Sequence, residues 1–198
     1  VNPAVLIPRP DTEILVEAVA ARLRDVEAPR LLDIGTGSGC IALSLLRELP
    51  RARALAVDVS GAALDVARTN AATLGLESRI DFLLSCWLGA VPEDGVFDAV
   101  VSNPPYVAPA ERSMLSPEVR EFEPALALFA EDADDLSSYR AIVGQVGGHL
   151  KPSGILAFEV GLGQATRVAD ILRDHGLASV ETVNDLARIA RVVLARRS

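Results

Sequence analysis

Arg30-Leu31-Leu32-Asp33-Ile34-Gly35-Thr36-Gly37-Ser38-Gly39 runs from an apolar strand into a loop of alternating glycines. The stretch that follows, Cys40-Ile41-Ala42-Leu43-Ser44-Leu45-Leu46, has the length and composition of a helix packed on a sheet. Glycine at a strand-to-helix turn lets the backbone take positive φ and approach a ligand closely, and the turn sits at a helix N-terminus, where free N–H groups point outward. The spacing is G-x-G-x-G. A dinucleotide site reads G-x-G-x-x-G, where the extra residue aims amides at a pyrophosphate. The next apolar run, Arg53-Ala54-Leu55-Ala56-Val57-Asp58, ends in an acid about twenty residues beyond the glycines, where an open α/β sheet sets a carboxylate against ribose hydroxyls. Asp58 also suits an N-cap for the next helix, although Ser60 can do that instead. Together the two stretches favour an adenosine-containing ligand without a diphosphate. S-adenosylmethionine fits, having ribose, adenine and a zwitterionic tail but no phosphate.

A second motif lies downstream. Phe97-Asp98-Ala99-Val100-Val101-Ser102 reads as a buried strand that runs out into Asn103-Pro104-Pro105-Tyr106. Each proline fixes φ near −65° and lacks an N–H, so the loop is stiff and rich in unpaired carbonyls. Asn103 adds an amide, and Tyr106 an aromatic face with a hydroxyl. Such a surface accepts hydrogen bonds from a planar NH2 group and stacks on its plane. The same four residues also suit an ordinary proline-rich turn.

The 198 residues are half apolar and 23% charged, with a net charge of −8, which suits one compact domain. The acidic balance argues against a general nucleic-acid binder. Cys40 and Cys86 form no metal or disulfide pattern, and reduced thiols suit a cytoplasmic protein. Cys40 reads as a small helix residue against the sheet. No apolar run approaches a membrane span, and Val1-Asn2-Pro3 does not open a signal peptide. The chain begins without methionine and reads as a piece of a longer protein.

Strand-like and helix-like segments alternate. Asp11 or Thr12 caps a helix whose apolar face holds Ile14, Leu15, Val19 and Leu23. Strands are predicted at 30–34, 53–58, 80–84, 97–102 and 155–160, helices at 136–149 and from Gln164 to Asp174, and Lys151-Pro152-Ser153-Gly154 as a turn. Residues 178–183 and 191–195 form two closing strands, too close for a helical crossover and so antiparallel. The alternation implies a mostly parallel α/β sheet with helices on both faces. Residues 104–135 are the one long irregular region, and loops of that length usually have a job. His149 and His175 read as features of helix ends beside Gly148 and Gly176. Glu159 ends a strand on the side where ligands bind in such sheets.

Three segments together resemble the HemK-type glutamine N5-methyltransferases of peptide chain release factors: Ile34 to Ala42, Ser102-Asn103-Pro104-Pro105-Tyr106, and Glu121-Phe122-Glu123-Pro124-Ala125-Leu126-Ala127-Leu128-Phe129. Leu6-Ile7-Pro8-Arg9-Pro10-Asp11-Thr12-Glu13 is similar to the opening of that family's catalytic domain, and Asp185-Leu186-Ala187 also matches. The resemblance implies a Rossmann-like, seven-stranded class I methyltransferase sheet with an antiparallel C-terminal hairpin. It implies a single methyltransferase domain over 1–198, with a leading segment 1–27, a cofactor half 28–102 and a substrate half 103–198. The family's helical N-terminal domain is absent from these residues. S-adenosylmethionine is the implied donor. The acceptor is the glutamine of a Gly-Gly-Gln segment in a release factor, a modification belonging to translation termination. Gly35, Thr36, Gly37, Ser38 and Gly39 border the cofactor's methionine part, Asp58 holds the ribose, Trp87 lies against the adenine, and Asn103, Pro104, Pro105 and Tyr106 take the glutamine, with Asn103, Pro104 and Tyr106 as the catalytic residues and Asn103 also bordering the cofactor. No metal is implied.

The sequence departs from the family at two points. Cys86 stands where the family has an acid before the tryptophan, and Arg188-Ile189-Ala190-Arg191 follows Asp185-Leu186-Ala187 where the family continues Gly-Arg-Asp-Arg. Two rival readings remain open. One is a nucleic-acid amino methyltransferase acting on adenine or guanine, against which the acidic charge weighs. The other is a non-catalytic module that binds cofactor or partner.

Overall fold

Leu31 and Leu32 are both buried although they point to opposite faces of strand β1 (Arg30–Ile34), so β1 is covered on both sides. In the computed structural model, which describes residues 1–130 and 134–198, β1 lies inside a seven-stranded sheet. The other strands are β2 (Arg53–Asp58), β3 (Ile80–Leu84), β4 (Phe97–Ser102), β5 (Leu150–Glu159), β6 (Ala178–Asn184) and β7 (Ala190–Arg196). The spatial order is β3-β2-β1-β4-β5-β7-β6. The first five strands are parallel, and β7 runs antiparallel to both its neighbours.

The helices are α1 (Thr12–Leu23), α2 (Cys40–Glu48), α3 (Gly61–Thr73), α4 (Pro117–Phe122), α5 (Ala125–Leu128), α6 (Ser137–Val146) and α7 (Ala165–Asp174). Strand alternation sorts the core into two layers. Leu31, Ala54, Ala56, Ala99, Val101 and Ala157 meet α1 and α2 on one face. Leu32, Ile34, Val100, Leu156 and Phe158 meet α6 and α7 on the other. The alanines let the first pair of helices sit close to the sheet, while the second face is filled by larger side chains, with Tyr139 edge-on to Phe158 at 5.2 Å.

The predicted α/β class, parallel sheet and antiparallel hairpin are all present, and the first four strands keep their predicted limits. Three local expectations are corrected. Strand β5 begins at Leu150, because pairing of Leu150 with Phe97 draws Lys151-Pro152-Ser153-Gly154 into the sheet through an irregular register. The region 104–135 is not structureless. It holds α4, α5, a 3₁₀ segment at Pro109–Met114 and a bridge between Val107 and Phe129, while 131–133 fall outside the described residues. Helix α4 had a local signal: Pro117 stands at its first turn, and Ser116 Oγ accepts from the Val119 N–H. Finally, neither Asp11 nor Thr12 caps α1 with its side chain. Thr12 bonds Glu159 instead, and Asp11 pairs with Arg191.

Candidate active site

Ile34 and Ser102 are paired across β1 and β4, and Ser102 Oγ donates to the Ile34 carbonyl at 2.7 Å. The chain order on either side of this pair diverges, β2 and β3 one way and β5 the other, which makes it the switch point of the sheet. The glycine loop and the Asn103 loop therefore leave the sheet side by side.

Gly35 and Gly37 have φ of +69° and +55°, and a Cβ on either would meet nothing within 4 Å. Both line a cavity. Gly39, at φ +82°, is different: its Cβ would come within 3.0 Å of Leu43 Cδ1 and 3.2 Å of Ala67 Cβ, so it serves close packing. The loop is tied down from several sides. Asp33 accepts from the Thr36 hydroxyl at 2.7 Å and from the Ala42 N–H at 3.2 Å, standing in for the cap that α2 lacks. Complete burial pushes the Asp33 carboxyl up to about 6. Asn70 Nδ2 donates to the Ser38 carbonyl at 2.8 Å.

Asp58 accepts from the Gly37 N–H at 2.9 Å and the Ser60 N–H at 2.8 Å, while Ser60 itself caps α3. The cap therefore falls to Ser60, and the Asp58 carboxylate borders the cavity. Trp87 also lines it, held at φ +48°, a backbone state uncommon outside glycine. Buried Ser85 secures that turn, donating to the Trp87 carbonyl at 2.9 Å and accepting from the Ala90 N–H at 3.0 Å.

Several carbonyls of the Asn103 loop are engaged. Ser138 Oγ donates to the Pro105 carbonyl at 2.9 Å, Gln164 Nε2 to the Tyr106 carbonyl at 3.0 Å, and the Ala130 N–H to the Val107 carbonyl at 3.0 Å. The Pro104 carbonyl meets no donor among the described residues, and Asn103, beside it, lines the cavity. Pro105 lines the cavity too. Pro104 is buried, and Tyr106 packs half-buried into the core on the α6–α7 face, where burial pushes its hydroxyl pKa up. Gln164 is fixed in turn by Tyr139, whose hydroxyl donates to Gln164 Oε1 at 3.2 Å.

Arg9 and Thr12, remote in sequence from both loops, also line the cavity. Arg9 Nη2 donates to both oxygens of Glu123, at 2.7 and 2.8 Å. Thr12 Oγ1 donates to Glu159 Oε2 at 2.7 Å. Burial raises the Glu159 pKa, and the Thr12 hydroxyl and the Asn103 amide temper the rise. Arg191 joins Asp11 at 3.3 Å and Asp185 at 3.0 Å. Arg9, Thr12, Ser138 and Gln164 carried no site role in the sequence, because nothing local in their segments marks them.

Of the remaining sequence candidates, Cys40 opens α2 and lines the cavity, its thiol pKa pushed up by burial. Cys86 is exposed at the rim beside Trp87. His175 ends α7 with Nδ1 2.9 Å from the Ile171 carbonyl, and His149 Nδ1 lies 2.9 Å from the Gly95 carbonyl, both away from the cavity. Among the described residues, no three His, Cys, Asp or Glu side chains gather as a metal site, and no helix is long and apolar enough to cross a membrane.

Residues 10–119 match the Methyltransferase small domain family. A release factor glutamine methyltransferase of Cereibacter sphaeroides is 47% identical over 96% of this chain and 66% of its own length. One from Gloeobacter violaceus is 45% identical over 98% of this chain and 68% of its own. The chain belongs to the release factor glutamine methyltransferase family. It spans about two thirds or less of the first of these relatives, 66% and 58% for the Cereibacter and Rhodospirillum rubrum proteins. Among solved structures, the hMettl16 catalytic domain in complex with a 3′UTR hairpin superposes with a TM-score of 0.77 at 18% identity, over 98% of this chain and 73% of that one. That likeness is one of fold. In this member of the release factor glutamine methyltransferase family the hairpin departure has a visible consequence: Arg188 sits at φ +63°, where glycine rests at ease, while Arg191 keeps its ion pairs.

Proposed function

We propose that this chain methylates the side-chain amide of the glutamine in a Gly-Gly-Gln segment of a peptide chain release factor, with S-adenosylmethionine as donor. The observation that carries this reading is the Asn103 loop. Its Pro105 and Tyr106 carbonyls are taken by Ser138 and Gln164, the buried Pro104 carbonyl meets no donor among the described residues, and Asn103, the residue before it, lines the cavity. The names of the relatives support the same reaction.

The cavity suits the donor. Open space over Gly35 and Gly37 leaves room for a close backbone approach, the Asp58 carboxylate is available to hydroxyls, and Trp87 offers a flat apolar face. When bound, the donor supplies a methyl group on a sulfonium, already activated for displacement. The protein's task is alignment and care of the acceptor. An amide nitrogen is a poor nucleophile because its lone pair is delocalised into the carbonyl. Asn103 Oδ1 and the Pro104 carbonyl accept its two N–H groups, fix its position and stabilise positive charge as it grows on nitrogen. Tyr106, packed against the core behind the loop, backs the Asn103 loop from the α6–α7 side. The proton leaves after transfer, so no general base is required.

Methyl transfer from labelled S-adenosylmethionine to a Gly-Gly-Gln protein, run beside RNA and DNA, tests the reading. Incorporation into the glutamine alone is expected. Labelling of nucleic acid in preference to protein overturns it.

A further inference from the structure

We infer that Glu159 is a positioning residue for Asn103: its carboxylate accepts the Asn103 amide N–H and so turns Asn103 Oδ1 toward the acceptor nitrogen. The inference rests on the proposed amide chemistry and names a residue which that chemistry does not otherwise use. An asparagine offers an oxygen or an NH2 group according to the flip of its last torsion, and the two ends have opposite hydrogen-bonding sense. Only the oxygen can accept an N–H of the substrate amide. The flipped form sets donor against donor. A site built on Asn103 therefore needs a group that holds this torsion.

Strand pairing supplies it. Ser102 and Phe158 are opposite one another in the parallel β4–β5 ladder, so the next residues, Asn103 and Glu159, leave the sheet as neighbours on one face. Glu159 is 3% exposed and clamped at both ends. Its Oε2 accepts from Thr12 Oγ1 at 2.7 Å, and its carbonyl shares the Tyr139 hydroxyl proton with Gln164 Oε1, each at 3.2 Å. Among the described residues no cation pairs with it, because the nearby Arg191 is engaged by Asp11 and Asp185. A carboxylate this buried must be satisfied by donors. Thr12 is one. The Asn103 amide, leaving the neighbouring strand end on the same face, is placed to be the other. Such contacts tighten when substrate completes the site.

A mutant cycle on the whole chain tests this. Glu159→Leu is expected to lower kcat on the order of 10²-fold, the effect of losing one preorganised hydrogen-bonding group, with calorimetric cofactor affinity unchanged. In an Asn103→Ala background the same change is expected to cost nothing further, since Glu159 acts through Asn103. Glu159→Gln keeps most of the activity, because one end of an amide can accept from Asn103 while the other donates to the Thr12 oxygen. Asn103→Asp opposes two carboxylates and is expected to be poor, and adding Glu159→Gln restores turnover by giving the new carboxylate a donor. Additive losses in the double variant, or no recovery in the exchanged pair, overturn the inference. Should wild type transfer no methyl to a Gly-Gly-Gln protein, the proposed function fails. The positioning contact is then read alone from the Asn103 side-chain amide resonances, assigned by their disappearance in Asn103→Ala. They are expected to shift in Glu159→Leu and to hold in Glu159→Gln; resonances unmoved by Glu159→Leu overturn the inference.

Discussion

Arg9 and Glu123 are joined through both carboxylate oxygens, at 2.7 and 2.8 Å, and this pair ties the segment before α1 to the turn between α4 and α5. The Glu123 side chain is 3% exposed and that of Arg9 37%. Removing the guanidinium strands a buried carboxylate. Arg9→Ala is therefore expected to cost about 1–3 kcal/mol, less than the roughly 3–5 of a fully buried pair because Arg9 is partly solvated. Glu123→Gln keeps an acceptor for Arg9 and is expected to cost less than half as much. Urea unfolding of both variants checks the order.

Asn103→Ala is expected to lower kcat on the order of 10²–10³-fold while cofactor affinity changes little. Single-turnover transfer and calorimetry separate the two. Near-normal turnover would remove Asn103 from the reaction.

Asp58→Ala is expected to act on the other parameter. Asp58 holds the Gly37 and Ser60 amides and presents its carboxylate to the cavity. Its loss weakens S-adenosylmethionine binding by about tenfold or more, on the scale of about 1.5–3 kcal/mol for a hydrogen bond to a charged group. Unchanged calorimetric affinity would take Asp58 out of the nucleoside site.

Asp33 gives a pH signature. Burial raises its carboxyl from 3.8 to about 6 in the folded protein. The folded state therefore holds this proton more tightly than the unfolded chain, so Asp33's contribution to stability falls as pH rises from 3.8 through about 6 and is level beyond. The whole span amounts to on the order of 3 kcal/mol, of which roughly 1 kcal/mol is lost between about pH 5 and 7. Asp33→Asn is expected to flatten the decline by that amount in urea unfolding at the two pH values. An equal slope in both proteins would show that Asp33 ionises normally.

Arg188 lies at φ +63° in the β6–β7 connection, where the chain folds back on Asp185 through the Ile189 amide, 2.8 Å from Asp185 Oδ1. A non-glycine residue in this conformation costs about 1–2 kcal/mol, and glycine adds back about 0.5–1 through the unfolded chain. Arg188→Gly is therefore expected to stabilise by about 0.5–1 kcal/mol, with activity unchanged, since Arg191 carries the ion pairs. A lowered melting temperature would contradict this.

Strands β1 to β4 were legible because each is a contiguous apolar run closed by turn residues, and the glycine loop because three glycines at alternate positions have few other uses. The early start of β5 was hidden, since Lys151-Pro152-Ser153-Gly154 has turn composition and only pairing with Phe97 overrides it. Thr12 was read as a cap because threonine before a helix normally is one. Its hydroxyl goes instead to a glutamate 147 residues away.

Order along the chain was enough to reveal the parallel sheet, the glycine turn and the proline-rich Asn103–Tyr106 loop, because each is written in neighbouring residues whose backbone preferences act locally. Folding in three dimensions settled that Ser138 and Gln164 take carbonyls of that loop, that Thr12 meets Glu159, and that Arg9 meets Glu123. Those outcomes depend on hydrogen bonds between segments up to 147 residues apart, and such pairings leave no periodic trace in either segment.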